Sequence, residues 1–523
     1  MAWTRCVWLV GLIAASCDWG EPRPPPRCEF RLADGTCAGS LQSQLCSSTV
    51  CVAPGVTCSS TLHVLAGAAN GDGSEKAPFG GIKEAAAKAS AGACIAVGAG
   101  NYAAAELPDG VSLLGKGVDH VFIGGKAGGY GLVVKGAGAV SSLPIPIPQP
   151  VIRGITLTGE GRGLLLVDLA GGARLEQSRI DGVRDVGIYA YRAGSVVLDH
   201  VQVKKVRAND KSEYGIGVIV AEGTQAEIVR SAVADTAAQG IVAAEAAVRL
   251  ASTAVMRTAL HGVAIDCTTD GRCKNVLGSS LTGSTIDRCG TVGLWVKGAR
   301  ITVATSDVGY TQIAGGSSRG VEILDGAIVD LKDNRIHHND GQGLVIDAST
   351  GNLTGNTIDE NGERGVWAQS VKSLTLEKNE ISKNRKAGFG ATNSVGISIT
   401  GGQIFATKKM ATGDGPGIAM VGDGVQVLSK SEVSVNTVRI EGSERIGVLI
   451  DGSKATVTGA TILGGEEHLL VQNANLADQI CSQNIGANNS SISPLVPTIA
   501  YFVNADPIKV ASLPIPIPKP QAF

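Results

Sequence analysis

A glycine recurs along this chain with near-constant spacing, at Gly131, Gly163, Gly187, Gly217, Gly240, Gly262, Gly293, Gly320, Gly343, Gly365, Gly388, Gly424 and Gly447. Seven of the twelve intervals are 22 to 24 residues. The first and third residues after every one of these glycines are apolar, from Leu132 and Val134 through Leu294 and Val296 to Val448 and Ile450. A period of two with one apolar set is a β-strand that buries one face. Each copy carries a second apolar alternation, such as Leu374, Leu376 and Ile381. A repeat of this length with two strand signals is one coil of a solenoid, whose faces are buried only by stacking on the neighbouring coils. Helical repeats are excluded, because no 3.6-residue period is present and every unit contains glycine. The repeat therefore predicts an all-β solenoid of about thirteen coils.

Asn334, Asn356 and Asn379 each stand two places before an isoleucine and are 22 and 23 residues apart. In stacked coils they form an asparagine ladder inside the turns. His337-His338-Asn339-Asp340 falls in the same turn region and reads as solvated turn chemistry, with a metal role as the lesser alternative. Ile82 to Ala89 is alanine-rich and suits a short helix covering the open end of the core.

Composition narrows the class. Of 523 residues 71 are glycine, and 44% are hydrophobic against 18% charged, which excludes a disordered chain; the glycines have no Gly-X-Y period, which excludes collagen. The formal net charge of −2 gives no reason to expect a nucleic-acid partner.

Residues 1–16, MAWTRCVWLVGLIAAS, hold one arginine and an apolar run from Val7 to Ala15 that is too short to span a bilayer, the pattern of an export signal. Ile13-Ala14-Ala15-Ser16-Cys17 resembles a bacterial lipobox, which makes Cys17 the lipidation site and places the protein at the bacterial envelope or cell surface. Ordinary cleavage after Ala-Ala-Ser, giving a secreted protein, is the alternative. Removing Cys6 with the signal and Cys17 to lipid leaves ten of the twelve cysteines, an even number that suits disulfide pairing after export. Cys28, Cys37, Cys46, Cys51 and Cys58 with Cys94 make three bridges in this reading, and Cys267, Cys273, Cys289 and Cys481 two more, with connectivity open. No CxxC pair with nearby histidines supports zinc. The proline-rich EPRPPPRC at 21–28 reads as a stiff spacer. The heptapeptide SLPIPIP occurs at 142–148 and 512–518. Its alternating prolines remove the donors of one strand edge, so both copies read as edge terminators or straps.

If the first and third residues after each glycine point inward, the second and fourth point outward. The second-position column contains Tyr189, Trp295, Glu322 and Trp367, and the fourth contains Tyr191, Asp266, Lys297 and Asp347. Adjacent coils are about 4.8 Å apart, which makes Asp266 and Lys297 neighbours. An outward row of aromatics beside charges suits a polysaccharide, so Tyr189, Tyr191, Trp295 and Trp367 are the candidate binding residues. The basic loop KKVRANDKSEY at 204–214 adds a preference for an acidic polysaccharide. Plain surface coverage is the competing account of the same side chains.

The segment HVLAGAANGDGSEKAPFGGIKEAAAKA at 63–89, followed by CIAVGAGNYAAAELPDGVSLLGKG, resembles the entry segment and first coil of the right-handed parallel β-helix, or pectate-lyase-like, superfamily of bacterial exported proteins. Together with the glycine repeat, the resemblance covers roughly 61 to 490. With the N-terminal and C-terminal readings, the chain divides into four expected parts: a signal peptide at 1–16, a lipid-anchored Pro/Cys-rich stalk at 17–60, a capped right-handed β-helix at 61–490, and a C-terminal strap at 491–523. Lyases of the superfamily use a lysine or arginine base with acidic residues that hold calcium, and its hydrolases use paired aspartates. By that likeness Lys297, Glu322, Asp266 and Asp347 are the candidate catalytic residues and Ca²⁺ the candidate cofactor. The NTD, DD, GHG and RIK sets of the polygalacturonases are missing. VVLDH at 196–200 resembles a pectate-lyase strand but lacks its tryptophan, which leaves Asp199 and His200 as ordinary strand or turn residues. Asn70, Asp72, Ser74 and Glu75 are a further calcium candidate, equally explained by a glycine-rich turn. Three functions stand: binding of an extracellular or envelope polysaccharide, a polysaccharide lyase or glycoside hydrolase in the same groove, and a structural surface protein or adhesin.

Overall fold

A computed structural model describes residues 30–32, 36–39, 41, 56–136, 149–267, 278–312, 318–411, 420–473 and 480–482. The signal segment, Cys17, the spacer at 21–28, both SLPIPIP copies and the strap at 491–523 lie outside these described residues.

One coil shows how the repeat becomes structure. The strand Gln342–Asp347 is followed by Thr350–Thr354 and Thr357–Asp359, and the chain then enters the next coil at Val366–Gln369. Each strand pairs in parallel with its equivalent one coil on: Leu344 with Val366, Thr350 with Ser373, Thr357 with Glu380. The glycine-bearing strands build one sheet of 16 strands among the described residues, and the other two strands of each coil build a second sheet of 30. Fifteen strands of the first sheet follow chain order from Ala105–Pro108 to Glu467–Gln472. Ten of them contain the repeat glycine and three begin directly after it, at Ile241, Val263 and Val366; the two end strands lack it. The chain is thus a parallel β-solenoid, as the repeat predicts.

The core lies between the sheets. Leu344, Ile346, Leu353 and Ile358 of this coil are all fully buried, and the same positions of every other coil join them in one continuous cluster from Val64 to Val471. Each such side chain contributes about 1.5–3 kcal/mol on leaving water. At the N-terminal end the helix Ile82–Ala86 turns Ile82, Ala85 and Ala86 onto this core, closing the first coil.

The repeat glycine is not a turn residue. Gly343 sits inside its strand, and a Cβ there would stand 2.6 Å from Asn361 Nδ2 and 2.7 Å from the Gly365 carbonyl oxygen of the next coil. Coil-to-coil approach, rather than a left-handed backbone, demands glycine at this position.

The predicted asparagine ladder is present: Asn334 Nδ2 donates to Asn356 Oδ1 at 3.0 Å, and Asn356 Nδ2 to Asn379 Oδ1 at 2.9 Å. A second ladder runs through the next turn, Asn339 to Asn361 at 2.8 Å and Asn361 to Asn384 at 2.9 Å. These residues share the 22- and 23-residue spacing, a signal that was available in the sequence. His337 and Asn339 are therefore not solvated turn residues, being 4% and 1% exposed.

Of the cysteines, Cys58 is bonded to Cys94, and Cys37 and Cys267 are also in disulfides. Cys289 corrects the all-paired expectation. It is a free thiol, fully buried in the core, and burial pushes its pKa up to about 12. Its side chain serves as a small apolar filler among Ile286 and the neighbouring coils, so cysteine parity does not bear on lipidation. The described part of the expected stalk also differs from a free spacer. Phe30, Leu32 and Ala38 pack on Ala232, Ala234, Ala254 and Met256 of the 30-stranded sheet, and Gln202 Nε2 donates to the Gly39 carbonyl at 2.8 Å.

The Cys58–Cys94 bridge closes a chain segment of 36 residues around the capping helix. A loop of that size is worth about 4 kcal/mol of unfolded-state entropy. Cys94→Ser is expected to make the N-terminal coils the first to lose amide protection in hydrogen exchange, with later coils unaffected at first; uniform loss along the solenoid would contradict this.

Candidate functional site

The register brings together most of what the sequence placed side by side. Asp266 lies beside Lys297 and Ala264 beside Trp295 in adjacent strands, while Trp295 lies beside Glu322 and Val345 beside Trp367 in the following coils. The outward column exists as a register.

Its exposure is the correction. Tyr189 is 1% exposed, Trp295 1% and Trp367 0%; Tyr191 alone is partly open. The reason is a second outward row. The residue before each repeat glycine also turns away from the core, so Tyr130, Val186, Ile216 and Val292 pack with Val133, Leu165, Tyr189, Ile219 and Trp295 in one apolar layer. Trp367 packs with Val345, Leu428, Ile446, Leu449 and Leu470 in another. Both indoles are also held by a polar neighbour. The His261 ring stacks on Trp295 at 5.9 Å and 3°, and the Arg364 guanidinium lies 4.1 Å from the Trp367 ring centre. Burial pushes the Tyr189 phenol well above its usual range.

The same layer fixes the candidate carboxylates. Glu322 is fully buried and ion-paired to Arg319, itself buried. Lys297 reaches Asp325 at 3.3 Å. Burial raises the Asp347 carboxyl, with the Asp325 charge adding to it. Farther along, Asp423 accepts from Arg445 Nε at 2.7 Å and from Gln426 Nε2 at 2.8 Å. His261, Arg319, Arg364, Asp423 and Arg445 went unnoticed in the sequence because they stand one or two places before a repeat glycine, outside the strand positions counted after it. His261 Nδ1 is 2.7 Å from Thr291 Oγ1.

Elsewhere, Asp199 holds His200 at 2.8 Å and Arg230 at 2.6 Å, as a strand-edge ion cluster. In the Asn70–Glu75 turn the Ser74 hydroxyl, and next its amide at 2.9 Å, hold the Asp72 carboxylate below its usual range. Among the described residues no three His, Cys, Asp or Glu side chains converge as metal ligands.

Open clefts lie against Tyr130, Val133 and Lys135 at the N-terminal end of the glycine-bearing sheet and at the corner after the third strand of several middle coils. An open cleft of about 740 Å³ there is lined by Lys205, Arg207, Arg257, Arg288, Asp235 and Gln312 among others. Lys205 and Arg207 fall in the basic stretch at 204–214, which begins as strand rather than loop: Lys205 lies in the strand Ser195–Val206 and Arg207 bridges to Arg184. Asp287 pairs with Gly309 and Gly309 with His337, so the residues that follow them, Arg288, Tyr310 and His338, stand in consecutive coils. Tyr310 is 47% exposed, a large ring open to solvent beside this cleft.

The family described as "Right handed beta helix region" matches residues 264–423. No curated protein matches the sequence. Among solved structures, the chain is similar to the periplasmic alginate epimerase AlgG (12% identity, 74% of this chain and 78% of that one, TM-score 0.33). It is likewise similar to the A-module of the Azotobacter vinelandii mannuronan C-5 epimerase AlgE4 (14%, 77% and 91%, TM-score 0.32) and to pectate lyase Pel9A (10%, 82% and 80%, TM-score 0.28). With that family matched over its central coils and the same three-strand coil continuing on both sides, the chain is a right-handed parallel β-helix protein.

Proposed function

We propose that this is an exported protein, lipid-anchored through Cys17 at the bacterial envelope or cell surface, that binds an anionic polysaccharide. The observation that carries the reading is the cleft of Lys205, Arg207, Arg257 and Arg288, with Asp235 as its acidic member, continuing into exposed Tyr310. Guanidinium groups match carboxylates in bidentate geometry, and an aromatic face accepts the apolar face of a sugar ring. Arg288 and Tyr310 sit one coil apart, about 4.8 Å, so an extended chain lying along the solenoid axis meets both.

The test is a titration of the full chain with acidic and neutral polysaccharides, with and without Ca²⁺. Acidic chains are expected to bind saturably and more weakly at high salt. Arg288→Ala and Tyr310→Ala together are expected to weaken binding roughly tenfold or more, since one charge-assisted hydrogen bond is worth about 1.5–3 kcal/mol. Equal affinity in that variant would remove the cleft from the reading, and a flat response to every polysaccharide would favour the structural or adhesin alternative. The catalytic alternative is carried by Lys297 and Asp347, which end two strands of the glycine-bearing sheet, with Asp325 directly after the strand between them. It requires product formation that Lys297→Ala abolishes. Mass spectrometry of the mature N-terminus decides lipidation: a diacylglyceryl-modified Cys17 supports it, an unmodified cleaved end does not.

A further inference from the structure

We propose that one corner of the solenoid, from Lys205 to Lys383, is a continuous row of subsites that takes a linear acidic polysaccharide at one sugar residue per coil. The inference rests on the polysaccharide reading above and extends its cleft toward the C-terminal end. Strand register sets the row. Asp287, Gly309, His337, Asp359 and Ser382 pair in turn along the sheet, so the residues that follow them, Arg288, Tyr310, His338, Glu360 and Lys383, occupy one position in successive coils. Lys205, Asp235 and Arg257 hold the same position in the three coils before. The first four members line the cleft already described. With coils about 4.8 Å apart, the row spans about 34 Å. Each step is close to the advance of one sugar residue in an extended chain.

The backbone at this position is left-handed in every one of these coils. At all eight residues φ lies between 51° and 56°. A side chain on a left-handed backbone crowds the neighbouring carbonyl, a cost that glycine escapes. The chain does use glycine here beyond both ends of the row: Gly159 and Gly182 precede it, and Ala406, Gly442 and Gly464 follow it. In the eight coils between, the corner carries a charged or aromatic side chain instead. The other two left-handed corners of the coils that hold His338, Glu360 and Lys383 are built mostly from short residues, Asp325, Ala348 and Ser370 at one and Asp333, Gly355 and Lys378 at the other. Strain kept over eight coils where glycine would serve points to a task for the side chains.

Those side chains face water and suit an anionic glycan. None of the eight is buried, in contrast to Trp295 and Trp367. Four are the cations Lys205, Arg257, Arg288 and Lys383, against two carboxylates, Asp235 and Glu360. Tyr310 stacks on His338 at 4.9 Å and 24°, which sets two open rings side by side in adjacent coils, between Arg288 and the Glu360–Lys383 pair. The ion pairs within reach are surface pairs: Arg257 with Asp235 at 2.7 Å, Arg288 with Asp287 at 2.6 Å and Lys383 with Glu360 at 3.0 Å. Pairs of this kind are weak, and each guanidinium or ammonium keeps N–H donors beyond the ones its partner takes. A polyanion laid along the corner meets those donors with its carboxylates and the two rings with its sugar faces.

The test measures the affinity of the full chain for galacturonate and mannuronate oligomers of four and of twelve residues, alongside urea midpoints read by circular dichroism. The parent is expected to bind the longer oligomer of one sugar about tenfold or more tightly than the shorter one. Arg288→Gly weakens both lengths, because the cations from Lys205 to Arg288 hold the short chain. Lys383→Gly weakens only the long chain, about threefold to tenfold. Lys378→Gly removes a lysine with the same backbone angle from another corner of the same coil, and changes neither. Each glycine variant keeps the parent's urea midpoint or exceeds it, since glycine relieves the left-handed backbone. A parent that binds both lengths equally, or a Lys383→Gly loss absent or no greater than that of Lys378→Gly, overturns the row and leaves the shorter cleft standing. A lowered midpoint in Lys383→Gly also overturns it, because the side chain would then be holding the corner. A parent that binds neither oligomer at either length overturns the polysaccharide reading, and the row with it.

Discussion

Trp367→Ala is expected to lower the unfolding free energy by about 3–5 kcal/mol, the range for removing a large aromatic from a packed interior. As an exposed sugar platform, the same residue would lose affinity on truncation and leave the fold untouched. The structure reverses that expectation. Trp367 is fully buried, packed with Val345, Leu449 and Leu470 and capped by Arg364. Its ring also fills the space above Gly390 of the next coil, where a Cβ would come within 2.6 Å of the indole. Alanine leaves a cavity that the parallel ladders on either side cannot close, because each strand is pinned by both neighbours. It also strips Arg364 of the ring beneath it. A urea titration followed by circular dichroism reads the change as a fall in midpoint, and Gly390→Val should produce a comparable loss from the opposite partner. A midpoint within experimental error of the parent would mean that the indole is not packed as described, and would return Trp367 to the list of contact residues.

Asn361→Ala is expected to cost at least about 3 kcal/mol, more than its size suggests. Its Oδ1 accepts from the Asn339 amide at 3.2 Å and from Asn339 Nδ2 at 2.8 Å, and its Nδ2 donates to the Ile336 carbonyl at 3.2 Å and to Asn384 Oδ1 at 2.9 Å. Asn339 and Asn384 are themselves buried, so removing the middle member leaves donors and acceptors that water cannot reach. Each such group costs about 1–3 kcal/mol. Solenoid stability is roughly a sum of coils and their interfaces, and a broken rung at this interface uncouples the coils on its two sides. The denaturation curve of the variant should therefore broaden or split. Asn352→Ala, at an exposed strand position, provides the comparison and is expected to stay within about 0.5 kcal/mol of the parent. Equal effects at the two asparagines would show that the ladder adds nothing beyond ordinary surface polarity.

The two predictions mark where the sequence was legible. Gly343, Leu344 and Ile346 announce a strand and its inner face without help, because a period of two and a repeat of 22–24 residues have no other compact solution. The ladder through Asn334, Asn356 and Asn379 was equally open to reading, and the one through Asn339, Asn361 and Asn384 carried the same spacing unread. The basic character of Lys205 and Arg207 was visible too, though not the cleft they share with Arg257 and Arg288.

By itself the sequence determined the coil, its inner face and the stacking of equivalent residues, since each is a consequence of periodicity along one strand. Only the tertiary structure decided that Trp295 and Trp367 are covered, that Cys289 is a buried thiol, that Tyr310 is the ring in solvent, and that His337 and His338 face one another between two carboxylates. Alternation tells which side of a strand a residue leaves from. Exposure and charge state are set by what the adjacent rows and coils bring to that side, a sum over neighbours 20 to 30 residues away in the chain that no local pattern records.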